Sequence, residues 1–166
     1  MGILFHPDPE LRMVYWFIHG WLTAGELAAA QQESHALGDF SDWAAELIYA
    51  EPDAEFDPDI FTQYEPMRPL IRTTLDRMPA RCAMVCSPTQ MTSAPGFWIT
   101  MGERVHQNRA YEPFTELAPA ARWLGVPLEA VQAVLARLRT SSAPAPGDAP
   151  RKPDAPGRDM EGPGRA

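Results

Sequence analysis

From Met13 to Met67 the chain holds no lysine and no arginine, against eleven carboxylates. A surface built from that half is negative, which excludes nucleic acid and anionic lipid as partners for it. Lysine is nearly absent throughout: Lys152 stands alone beside thirteen arginines, which are scattered and form no phosphate-binding cluster. No apolar run reaches 18 residues and no basic-then-apolar leader opens the chain, so the sequence predicts no membrane span and a cytoplasmic location. Only two cysteines occur, Cys82 and Cys86. At ~3.3 Å per residue along a strand they stand about 13 Å apart, beyond the ~7 Å that a disulfide allows. They read as small buried hydrophobes, and C-x-x-x-C without a nearby His pair is no metal signature.

Recognisable chemistry is missing as well. There is no G-x-S-x-G, no glycine-rich phosphate loop and no H-E-x-x-H. His6, His19, His35 and His106 are far apart in sequence. Ser87, His106 and an acid could be drawn as a triad, but nothing fixes its geometry. No catalytic residue, cofactor or metal ligand is assigned, and the chain is read as a non-enzyme.

What is present is an alternation of strands and helices. Arg81–Pro88, RCAMVCSP, is a short run that is apolar on both alternating faces, the mark of a strand covered on both sides. Such a strand needs a helix layer above and below, hence an α/β fold. Gly2–His6 and Leu11–Leu22 are two strand-favouring runs joined by a short Pro-Asp-Pro link, an antiparallel hairpin whose first strand is the edge. Thr23 and Glu26 form a Thr-x-x-Glu capping box that opens a helix over 24–37, with a thin stripe of Leu27, Ala30 and Leu37, closed by Gly38. Ala44–Ala50 is a buried strand, with Glu46 at its start or on an exposed edge. Pro66–Met78 is a helix with Pro69 in its first turn and Leu70, Ile71, Leu75 and Met78 on one face. Ser87 caps a short helix begun by Pro88. Pro95-Gly96 breaks it before a helix over 97–105. A strand over 110–112, a helix capped by Thr115 and closed by Gly125, and a helix over 128–138 follow. The expected architecture is a mixed, mostly parallel sheet of about five strands starting with the antiparallel hairpin, with helices packed on it. Residues 1–139 make one domain. Residues 140–166 hold six prolines and only Met160 as a large apolar side chain, and are expected to be disordered.

Two stretches invite a functional reading. Glu51–Glu65 carries six carboxylates, with Asp53, Glu55, Asp57 and Asp59 in alternation. A calcium loop would need Gly at its sixth position and Glu at its twelfth; Pro58 and Tyr64 stand there. The stretch reads instead as a solvated acidic surface, with Glu51, Asp53, Glu55, Asp57 and Asp59 set to meet a protein partner of basic surface. The second stretch is Met91–Met101, where Met91, Phe97, Trp98 and Met101 surround the Pro-Gly break. An adaptable apolar segment of this kind suits the core, or alternatively a flap over a pocket for a small apolar ligand or lipid.

The sequence also resembles a known group. The hairpin ends in Ile18-His19-Gly20-Trp21-Leu22-Thr23. The strand around RCAMVCSP follows two helices. A closing F-x-x-x-x-x-A-x-x-W-L-G stands at Phe114, Ala120, Trp123, Leu124 and Gly125. In this order, over residues 3–126, they are similar to the SpoIIAA-like, or STAS/CRAL-TRIO-like, small bacterial proteins. The resemblance implies a non-enzymatic regulatory or interaction domain. Some members bind nucleotides or apolar ligands. Anti-anti-sigma members place a phosphorylatable serine after a central strand. Here Ala44–Ala50 is followed by Glu51-Pro52-Asp53 with no hydroxyl before Thr62, which speaks against that switch, and Ser87 does not match the motif.

Overall fold

The computed structural model describes residues 2–60, 64–93 and 110–142. The expected helix over 97–105 and most of the expected tail lie outside them. The strands are β1 (Ile3–Asp8), β2 (Met13–Ile18), β3 (Trp21–Leu22), β4 (Ala45–Ala50), β5 (Glu55–Phe56), β6 (Arg81–Val85) and β7 (Ala110–Phe114). The helices are α1 (Ala24–Leu37), α2 (Tyr64–Asp76), α3 (Pro88–Ser93), α4 (Leu117–Leu124) and α5 (Leu128–Ser142), with a 3-10 turn at Pro58–Ile60.

A five-stranded sheet runs β1-β2-β4-β6-β7. β1 pairs antiparallel with β2, Phe5 opposite Trp16, and every later pair is parallel. The protein is thus α/β with a mixed sheet led by a hairpin. Because β2, β4 and β6 advance in one direction, right-handed crossovers put the β2–β4 and β4–β6 connections on a single face. That face carries Ile3, Phe5, Val14, Trp16, Ile18, Ala50 and Met84, and packs against Ala24, Ala30, Phe40 and Met78. The opposite face carries Met13, Tyr15, Phe17, Leu47, Ala83 and Val85. It is covered by Ala120, Ala121 and Leu124 of α4 and by Val131, Val134, Leu135 and Leu138 of α5. β2 is buried at all six positions, and β6 at all but Arg81.

The capping box at α1 is complete: Thr23 Oγ1 accepts from Glu26 N at 3.2 Å, and Glu26 Oε2 accepts from Thr23 N at 3.1 Å. Glu26 Oε1 also accepts from Gly2 N at 3.0 Å, which fastens the start of the chain to α1. Gly38 ends the helix, but at φ 150, not in the left-handed form expected of a C′ glycine. The α1 stripe differs from expectation. Leu37 is 52% exposed, while Gln31 and Ser34 are buried with Ala24 and Ala30. With so few large apolar groups, α1 is set by its cap and by close approach to the sheet.

Further differences are local. Glu46 does lie one residue from the start of β4, yet it is wholly buried, between Val14 and Cys82 in the register. The third strand of five has no exposed edge on which a carboxylate could sit. α2 starts at Tyr64, ahead of Pro66, so Pro69 falls inside it at the loss of one helix bond. β7 extends to Phe114 through Pro113, tolerated because one side of an edge strand needs no donor. α4 is capped by the backbone of Glu116 without a side-chain bond, and Thr115 is not the cap. Gly125 closes it in the left-handed region at φ 77, as expected of a C′ glycine. α5 continues to Ser142. The hydroxyls of Thr140 and Ser141 bond back to the carbonyls of Ala136 and Arg137, so residues 140–142 are helix and not tail.

Candidate functional site

Parallel strands bring their carboxyl ends to one edge of a sheet, and open α/β sheets bind ligands there. At that edge Ile18 leads into His19-Gly20, Ala50 into Glu51, and Val85 into Cys86-Ser87. Gly20, at φ 58, turns the chain into β3. Glu51 N donates to Ile18 O at 2.8 Å, Glu55 N to Gly20 O at 2.7 Å and Asp57 N to Leu22 O at 2.9 Å. The acidic stretch is therefore no loose loop. Its middle is β5, paired in parallel with β3, a two-stranded ribbon raised over the sheet edge. Asp53 sits in the turn before β5 and Glu55 opens the strand, both exposed, while Ala54 between them is buried.

Gln90 fixes this ribbon to β6. Its Oε1 accepts from Ser87 N at 2.8 Å, and its N–H donates to Ser87 Oγ at 3.2 Å. Its Nε2 donates to Glu51 O at 2.7 Å and to Ala54 O at 2.9 Å. The amide is buried with these bonding positions filled, which favours one loop geometry. The cap at Ser87 was legible in the sequence. Gln90 was not singled out, although Ser-x-x-Gln at 87–90 is itself a capping box.

Between the ribbon and the start of α3 lies an open cleft of about 460 Å³. Trp21, Pro52, Phe56 and Pro58 form apolar walls, Asp53 and Glu55 supply carboxylates, and Ser87, Thr89 and Gln90 line the remaining side. Three of the five acidic residues singled out by sequence thus gather at or beside this cleft: Asp53, Glu55 and the half-buried Asp57. Glu51 is drawn away. Its Oε1 meets Arg139 Nε at 2.6 Å, and its side chain is 17% exposed. Arg139 also donates to Tyr49 Oη at 3.1 Å and lies over the Tyr49 ring. The side chain of Asp59 lies outside the description. Of the apolar set, Met91 packs against the core under α3, and Phe97, Trp98 and Met101 lie outside the described residues.

Two ring nitrogens, Nε1 of the cleft residue Trp21 and Nε2 of His19 two residues before it, are buried and have no hydrogen-bond partner among the described residues. Burial lowers the pKa of His19, with the N-terminal ammonium adding to the effect and Glu26, Glu51 and Asp53 opposing it. Its ring stacks on Phe17, centroids 5.6 Å apart. Cys86, at the end of β6, is pushed by burial up to about 11, so its thiol stays protonated at neutral pH. Among the described residues no three His, Cys, Asp or Glu side chains converge where a metal ion could be held. Nor is any of their helices long and apolar enough to cross a membrane. No family model matches the chain, and no match was found among curated proteins or solved structures.

Proposed function

We propose that the protein is a non-enzymatic interaction domain that receives a basic segment of a partner protein at the carboxyl edge of its sheet. The observation that carries this reading is the cleft itself. Aromatic and proline walls stand next to Asp53 and Glu55, on a ribbon held in place by Gln90. Carboxylates beside an aromatic wall suit a guanidinium or ammonium group, which gains from both charge and the ring face. The hairpin-led sheet and the α1–β4–α2–β6 succession support a STAS-like regulatory role, as the motif resemblance does. The apolar-carrier reading has only Met91 among the described residues, and Met91 faces the core.

The test is binding of a fluorescein-labelled oligoarginine peptide, followed by anisotropy at low and high salt. The reading expects saturable binding that weakens steeply with salt and falls at least tenfold in Asp53→Lys/Glu55→Lys. Equal binding by that variant, or equal binding of an oligoglutamate peptide, would refute it.

A further inference from the structure

We propose that Arg139 is a positioning residue for the cleft: it does not line the cleft, and through Glu51 it holds the ribbon that forms one wall. The inference rests on the cleft reading above and adds a residue of α5 that controls the cleft's shape.

Glu51 is where four segments meet. Its N–H donates to Ile18 O at the end of β2, at 2.8 Å. Its carbonyl accepts from Ala54 N at 3.0 Å and from Gln90 Nε2 at 2.7 Å. Gln90 lines the cleft, and its Nε2 also reaches Ala54 O at 2.9 Å. The Glu51 side chain is tied to α5, where Oε1 accepts from Arg139 Nε at 2.6 Å. Arg139 Nη2 donates to Tyr49 Oη at 3.1 Å, and the guanidinium lies 5.6 Å from the centre of the Tyr49 ring. A carboxylate, a phenol and a ring face thus fix one planar cation, which a flexible ammonium matches less well.

Burial gives the contact its weight. The Glu51 side chain is only 17% exposed. Without the guanidinium it is a largely covered charge that has lost its cation. Such a charge turns toward water, and the strand end whose carbonyl binds Gln90 turns with it. The apolar anchors of α5, Val131, Val134, Leu135 and Leu138, do not depend on Arg139, so the helix stays docked.

The same helix supplies a control. Arg137, two residues earlier, projects about 200° away around the helix. It lies 3.6 Å from Asp8, at the opposite end of the sheet: Asp8 pairs with Met13 at the start of β2, and Ala50 with Ile18 at its end.

The experiment measures hydrogen exchange and binding of the labelled oligoarginine peptide in the full chain and in its Arg139→Gln, Arg139→Lys and Arg137→Gln variants. Arg139→Gln should speed exchange at Glu55 N and Asp57 N about fivefold and weaken peptide binding about threefold. The sign is the discriminating feature. Taking a positive charge from beside an acidic cleft would, through charge alone, tighten the binding of a cationic peptide. Arg139→Lys should recover part of the protection, and Arg137→Gln should exchange as the parent does. In a Glu51→Gln background, Arg139→Gln should add nothing further. Unchanged exchange in Arg139→Gln, or equal acceleration in Arg137→Gln, would overturn the proposal and leave the cleft reading standing. Peptide binding by Arg139→Gln as tight as the parent's, or tighter, would reduce Arg139 to its charge and overturn it as well. Accelerated exchange in Arg139→Gln with no peptide binding to the parent would remove the cleft reading and uphold the hold of Arg139 on the ribbon.

Discussion

The two faces of the sheet are closed in opposite ways. The α4–α5 face is sealed by a continuous apolar layer, Val131, Val134, Leu135 and Leu138 over Met13, Tyr15, Phe17 and Leu47. Its one buried acid among the described residues, Asp8, sits at the rim, where its carboxylate accepts from Glu10 N and Leu11 N and lies 3.6 Å from Arg137. The α1–α2 face contains Glu46 and is covered by elements that bury Gln31, Ser34, Thr74 and Gln90. Trp16 on that face and Gln31 on its α1 cover each keep a buried polar atom without a partner among the described residues. One face therefore maximises burial, while the other gives up some of it for hydrogen-bonded positioning. Gln90 and the ribbon belong to the second kind, which is why the cleft forms at that side.

Substitutions can break this contrast, the largest effect first. Leu135→Ala on the sealed face should cost about 2–5 kcal/mol in urea unfolding, because a wholly buried leucine leaves a cavity. Gln90→Ala should cost less, about 1–3 kcal/mol, since it orphans the carbonyls of Glu51 and Ala54. Its distinguishing sign is faster hydrogen exchange at Glu55 N and Asp57 N, the amides that hold β5 on β3. If Leu135→Ala speeds exchange there equally, the two faces are not separable. Thr23→Ala should cost about 1 kcal/mol by removing the α1 cap, with no change in peptide binding at the cleft.

The smallest effects are in pH. His6 and His19 are both lowered by burial, so the unfolded chain takes up protons first. Stability from these groups is complete above about pH 6.5 and should decline as pH falls below it. The melting temperature between pH 7 and pH 5 checks this, and His19→Gln should flatten the slope. Cys86 acts at the other end: its thiol ionises more readily when unfolded, so stability should decline as pH rises above about 9.

The architecture was legible because it is written in periodicity and punctuation. The run Met13–Ile18, the box at Thr23 and Glu26, Gly125 and the stripe of α5 each state their structure locally. The misread positions are those where tertiary context decides. Glu46 carries a charge that local pattern sends to the surface, but its strand has neighbours on both sides. Leu37 looks like core and is exposed because the helix presents Gln31 and Ser34 inward instead. Glu51 resembles its acidic neighbours in sequence. Its ion pair lies 88 residues away, at Arg139, a separation that no local pattern conveys. The same holds for β3 and β5, two-residue strands too short to show alternation and defined only by each other.

The order in which the layers are made has a consequence for synthesis. All strands of the sheet precede α4 and α5 in the chain, so the Met13–Tyr15–Phe17–Leu47 surface is made before its cover. At about 5–20 residues per second, the nascent sheet waits seconds for residues 117–142 to leave the ribosome. A chaperone that shields apolar surface should engage the nascent chain within that interval and let go once Leu138 docks.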